Sequence, residues 1–291
     1  MSESNKSNFI GHGSILAIEG ILVRIIGMLY RIPVVNIIGS EGNGIYGAAF
    51  NIYNIMLVLS SYGLPMAVSK LVSARFTKKR YKSAAKVLRC SLMVAVCTGG
   101  IAALLVFFGA SFIENVIYGG GLPGLAIPLR ILAPTIFLVA ILGVIRGFFQ
   151  GQSTMIPTAV SQILEQIVNA IVSIAAGCGM MKAFASSPDV AAYGAAGSTL
   201  GTAMGALTAV LFMGFLYAVY TPTFNRLKRK DRHTENQSTG EICKIIIYTM
   251  IPIILGQTFY QISALIDDVM FSNIMIGRDI TKSISMDLGN F

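Results

Sequence analysis

The chain has 291 residues, a formal net charge of +9, 54% hydrophobic residues and only 12% charged ones, about half the charged share of an ordinary soluble domain. With a mean hydropathy of +0.71 this excludes a soluble globular protein, and the fold class expected is all-α, a polytopic transmembrane helix bundle. A charge of +9 on a soluble protein would point to nucleic acid, but here the basic residues cluster in short segments between apolar runs, which reports membrane topology.

Helix one is expected from about Gly11 to Ile38, with Pro33 kinking it, and nothing resembling a cleavage site follows a short apolar core, so it is expected to be retained. Arg24 and Arg31 lie seven residues apart inside this span, on one helix face about 10 Å apart along the axis. An arginine at mid-bilayer depth costs roughly 2.5–3.5 kcal/mol on the insertion scale, so this face is expected to turn toward a polar cavity and to form an anion site. Snorkelling to an interface, or pairing with a carboxylate to hold helices together, is the other reading.

The connection GSEGNG, with Gly39, Gly42 and Gly44, reads as a tight reversal. Helix two follows from near Ile45 to Ser73, broken near Pro65, which removes a backbone donor. Residues 75–89 carry seven Lys or Arg and no acid, so they are expected on the cytoplasmic side. Helix three (Val87 to Phe112) and helix four (Leu125 to Phe149) come next, the latter with Arg146 near its inner end. Helix five (Thr154 to Met181) carries Ser161, Gln162, Glu165, Gln166 and Asn169 within an arc of about 140°. Glu165 is a second costly intramembrane charge. It is expected to couple ions or to pair with a helix-one arginine, interhelical hydrogen bonding being the plainer alternative.

Helix six (Gly194 to Tyr220) has Gly197, Gly201 and Gly205 at spacing four, a pattern of close helix packing. Six Lys or Arg then fall between Arg226 and Lys244, the best domain boundary in the chain. Helix seven (Ile242 to Ile266) sets Gln257, Gln261 and Asp268 along one face, and no eighth span follows, so the chain reads as unfinished. The expected division is 1–225 as a first lobe, 226–241 as a cytoplasmic linker and 242–291 as the opening of a second lobe. Seven spans from a cytoplasmic N-terminus put the basic segments inside. Four cysteines without C-x-x-C spacing and two histidines give no metal site, disulfide framework or cofactor, and there is no nucleophile–base pair or phosphate-binding glycine loop to suggest an enzyme.

Three stretches, GSEGNGIYGAAFNIYN, YGLPMAVSKLVS and RGFFQGQSTMIPTAVSQILEQ, resemble the polysaccharide transporter branch of the multidrug/oligosaccharidyl-lipid/polysaccharide flippase superfamily. The stage V sporulation protein B group, similar to lipid II flippases, is nearest. The resemblance implies about 14 helices in two lobes around a central cavity, of which this chain would be the first six-helix lobe plus one helix. It further implies an alternating-access flippase of the bacterial cell membrane for an anionic lipid-linked peptidoglycan or polysaccharide precursor. By that resemblance Arg24 and Arg31 match the cationic positions of the first helix. Gln162, Glu165, Asn169 and Gln261 are further candidate substrate contacts; Glu165, Lys70, Asp268 and Pro65 are candidates for coupling or gating. Membrane lipid, a missing second lobe or a second copy are the partners expected. The rival readings are a cation-coupled multidrug exporter, against which the paired arginines argue, and a non-transporting envelope or sporulation scaffold.

Overall fold

A computed structural model describes the backbone of residues 3–232 and 237–276, and their side chains from Ile18 on, apart from several in the last helix. The helices in chain order are α1 Glu3–Ser60, α2 Leu64–Thr77, α3 Tyr81–Phe112, α4 Ala126–Gln150, α5 Ile156–Ala183, α6 Val190–Lys230 and α7 Thr239–Ile276, with a π-helical turn at Ile113–Ile117. Among the described residues there is no strand. Six stretches are long and apolar enough to cross a membrane, the first of them spanning 60 residues, Ile18–Thr77.

That first stretch is folded on itself. The departure from helical backbone is at Gly39 (φ 70°, ψ 179°) and not at Pro33, in a region that essentially only glycine enters. In a straight helix Gly27 and Asn51 would be about 36 Å apart at 1.5 Å per residue; instead both line one cavity, so residues 3–38 and 40–60 form two opposed arms. The reversal is thus one residue, not a loop from 39 to 44, because helix resumes at once after Gly39. Gly42 serves close packing, a Cβ there meeting the Ala191 carbonyl at 3.2 Å.

The second arm breaks where Pro65 forbids a backbone donor. α1 ends at Ser60, and α2 restarts at Leu64 with Pro65 in its first turn. The two arms of α1, with α2 continuing the second, make the count of crossings seven. Helix ends extend past the apolar runs: α3 begins at Tyr81, not Val87, so the basic stretch 75–89 is two helix ends around a short turn; α6 continues to Lys230 and α7 to Ile276. Hydropathy registers only the part of a helix that lies in hydrocarbon.

Two cores hold the bundle. One gathers Val34, Ile45, Tyr118, Leu122, Leu129 and Ile136. The other, at the end carrying the basic residues, gathers Val68, Leu88, Phe148, Met213 and Ile246, with Phe148 edge-on to Phe76 and Phe224 at ring separations of 6.3 and 5.3 Å. Outward-facing apolar side chains such as Phe108, Phe215 and Phe259 remain exposed, as a lipid-facing surface requires. At the other end the Glu114 carboxylate accepts from the amides of Gly124 (3.1 Å) and Ala126 (2.7 Å), satisfying donors at the start of α4.

The glycines of α6 lie against α5. A Cβ at Gly205 would meet the Glu165 carbonyl at 2.6 Å, and one at Gly201 the Asn169 carbonyl at 2.6 Å. This close approach lets Ser173 donate across the interface to the Ser198 carbonyl at 2.8 Å, and it fixes the rotation of α5 that the site depends on.

Candidate functional site

With α5 pinned on α6, its polar face turns inward to α1 and α4. Arg146 of α4 donates from Nη2 to Glu165 Oε2 at 2.8 Å and from Nε to Ser161 Oγ at 2.9 Å; Ser161 in turn donates to the Thr158 carbonyl at 2.8 Å. Glu165 therefore pairs with Arg146, and the expected pairing with Arg24 or Arg31 is not found. The reason is topological. The short turn at 151–155 joins the end of α4 to the start of α5, which brings Arg146, in the last turns of α4, to the polar face of α5.

A second carboxylate belongs to the same cluster. Glu19 of α1 is 5% exposed and lies within electrostatic reach of Arg146. With the amide of Gln162 turned nitrogen-inward, that nitrogen donates to both Glu19 oxygens, at 3.2 and 3.3 Å. The Arg146 guanidinium thus pairs with Glu165 and lies near a second carboxylate from another helix. The sequence reading missed Glu19, although a carboxylate inside an apolar run is itself the signal. Further along α5, Asn169 donates to Tyr30 Oη of α1 at 3.2 Å and accepts from Ser173 at 2.9 Å and Thr202 at 3.4 Å.

Above this layer a cavity of about 540 Å³ opens between the arms of α1, lined by Tyr30, Arg31, Asn51, Asn54 and Gln166 among others. That is ample room for water. Its described lining carries one cation and no carboxylate. Arg31, itself exposed, lines this cavity and, with Met28 and Ile32, an adjoining apolar groove, whereas Arg24, one face-turn earlier, is exposed and lines neither. Lys70 is exposed on α2. Pro65 packs on α4, where a Cβ at Gly143 would lie 3.1 Å from its ring. The side chains of Gln261 and Asp268 lie outside the described residues. Among the described residues no cluster of His, Cys, Asp or Glu could hold a metal ion.

The sequence matches the family described as polysaccharide biosynthesis protein over residues 12–290. The chain belongs to that family. Within the polysaccharide biosynthesis family's wider circle it is 34% identical over 176 residues to the Lipid II flippase MurJ of Bacillus subtilis (strain 168), covering 58% of this chain and 32% of that protein. It is 31% identical over 209 residues to the Stage V sporulation protein B of the same organism, covering 72% and 39%. The chain spans about a third to two fifths of these relatives' length. By structure it is similar to a MOP superfamily transporter from Pyrococcus furiosus, with a TM-score of 0.67 at 17% identity over 95% of this chain and 62% of that one. It is also similar to an inward-facing multidrug resistance MATE family transporter, with a TM-score of 0.58 at 14% identity over 88% and 56%. The fold is that of the MOP superfamily, and the branch read from the three motifs is the one these relatives occupy. The chain is a multi-pass membrane protein.

Proposed function

We propose that this chain is the first lobe of a flippase that carries a pyrophosphate-linked peptidoglycan or polysaccharide precursor across the bacterial cell membrane by alternating access. Residues 1–225 form the lobe, 226–241 a cytoplasmic linker, and α7 opens a second lobe. The observation that carries the reading is Arg31 on a polar cavity of about 540 Å³ with Asn51, Asn54 and Gln166. A guanidinium grips a pyrophosphate oxygen pair in bidentate fashion, and the amides read neighbouring hydroxyls. Arg24, exposed along the same helix, extends the cationic track toward the facing lobe. Gln162 and Asn169 shape this face through Glu19 and Tyr30, and Gln261 contributes from the second lobe. A cationic drug would find no carboxylate in the described cavity lining, which favours an anionic cargo.

Glu165 and Arg146 form the switchable pair behind the site, with Pro65 at the helix break and Lys70 and Asp268 as further gating candidates. The basic segments 75–89 and 226–244 support a cytoplasmic N-terminus by the positive-inside rule. The test is a leaflet-accessibility assay in liposomes with the full-length transporter and a fluorescent polyprenyl-pyrophosphate sugar. R31Q is expected to abolish translocation while insertion is unchanged, and R31K to restore it in part. Normal translocation by the R24Q/R31Q double variant overturns the proposal.

A further inference from the structure

The two basic segments, 150 residues apart in sequence, meet at one end of the bundle. The Lys82 amide donates to Asp231 at 2.9 Å, and Arg75 donates to Gln237 at 2.8 Å. Between the segments lies a cavity of about 400 Å³ lined by Lys82, Lys86, Arg89, Lys228, Cys90 and Met93 among others, continuous in its lining residues with a second of about 520 Å³ that adds Arg229. No carboxylate lines either among the described residues. Of the described acids nearby, Asp231 accepts from the Lys82 amide and Glu241 forms a reciprocal cap with Ser238, two bonds of 3.1 Å. Lys86 reaches the Gln237 carbonyl, and Lys228 stands over the Phe224 ring at 5.2 Å.

The cations converge on an open cleft whose lining also includes Ala85, Cys90 and Met93 of α3. The α3 face that carries Lys82, Lys86 and Arg89 continues, within an arc of about 100°, through Met93, Val96, Leu104 and Phe107, which are 49%, 47%, 59% and 44% exposed. One stripe therefore changes from cationic to apolar and solvent-free-seeking as it enters the bilayer. A phosphate ester attached to acyl chains has that polarity pattern, and a free anion does not.

We propose that this cavity is a binding site for an anionic phospholipid. Its phosphodiester sits among Lys86, Arg89 and Lys228, and its acyl chains lie along Met93, Val96 and Leu104. The site is separate from the α1–α5 cavity and stands or falls independently of the flippase reading. The test is native mass spectrometry of the full-length protein titrated with phosphatidylglycerol or phosphatidylcholine. At about fivefold per basic residue near a membrane surface, K86Q/K228Q is expected to weaken phosphatidylglycerol binding about thirtyfold. R226Q/K244Q, which removes two charges outside the cavity lining, is expected to leave it nearly unchanged. R89Q, an exposed side chain, repeats the loss at about fivefold if the double variant unfolds. Equal loss in R226Q/K244Q, equal retention of phosphatidylcholine, or displacement of the lipid by excess inorganic phosphate each overturns the proposal.

Discussion

Arg146 on α4 and Glu165 on α5 meet at 2.8 Å with side chains only 14% and 21% exposed, and the same guanidinium lies within reach of the buried Glu19. Removing this cation leaves the Glu165 carboxylate without its ion-pair partner and the buried Glu19 without its nearby positive charge, so R146Q is expected to cost about 3–5 kcal/mol. E165Q leaves Arg146 with Glu19 and is expected to cost about 2 kcal/mol. Unfolding in detergent, followed by circular dichroism, gives both values. Equal losses for R146Q and E165Q would remove Glu19 from the cluster.

If the pair also acts in the transport cycle, E165Q separates that role from stability. Substrate binding is expected to persist in E165Q while the dependence of translocation on an ion gradient is lost. The readout is translocation with and without an imposed proton or sodium gradient, on protein shown to be folded. Full gradient dependence in E165Q confines Glu165 to holding α4 on α5.

Much of this was legible before any coordinates. The apolar runs gave the crossings, Pro65 the break, the helical spacing of 161, 162, 165 and 169 the inward face of α5, and the glycines of α6 its partner. Sequence periodicity reports which residues share a face of one helix, not which residue of another helix meets them. That is why the pairing of Glu165 with Arg146, rather than with a helix-one arginine, was not read from spacing. Glu19 was overlooked for another reason: a single acid barely lowers the hydropathy of a run as apolar as ILAIEGILV. Arg24 and Arg31 share a face by spacing, yet only Arg31 reaches the cavity, because the second arm of α1 packs beside the latter.

The α5–α6 interface gives a paired test. A Cβ at Gly201 meets the Asn169 carbonyl at 2.6 Å, whereas one at Gly214 meets nothing within 4 Å. G201A is expected to destabilise by about 1–3 kcal/mol through overpacking, and G214A on the same helix to stabilise by about 0.5–1 kcal/mol through helix propensity. Melting temperatures in detergent measure both. A neutral G201A would mean that α5 and α6 separate freely, and the rotation of the polar face would lose its cause.

Gly39 makes the reversal of α1 alone. A Cβ there meets nothing within 4 Å, so the effect of substitution is conformational. At φ 70°, ψ 179° asparagine gains none of the tolerance it has in the left-handed helical region, and both G39A and G39N are expected to cost about 1–3 kcal/mol. The same unfolding measurement applies. A G39N variant as stable as the parent would mean that the arms meet through a different backbone turn.

Residues 1–291 alone are expected to insert and fold as a bundle without translocating substrate. Two extensive cores close the bundle internally, so folding does not need the facing lobe. The Arg24 and Met28 face of α1, by contrast, is uncovered, and so are Leu255 and Phe259 of α7. Apolar residues accept lipid at no cost, whereas a guanidinium meeting hydrocarbon costs several kcal/mol unless it snorkels or finds a partner. Alternating access needs a second bundle to rock against this one, and that bundle would cover the arginine. Liposomes carrying this chain alone, assayed for leaflet exchange of a fluorescent polyprenyl-linked sugar and cross-linked in parallel, decide the matter. Translocation by an uncross-linked monomer overturns the half-transporter reading. Activity confined to a cross-linkable dimer means that a second copy covers the Arg24 face and supplies the opposing wall.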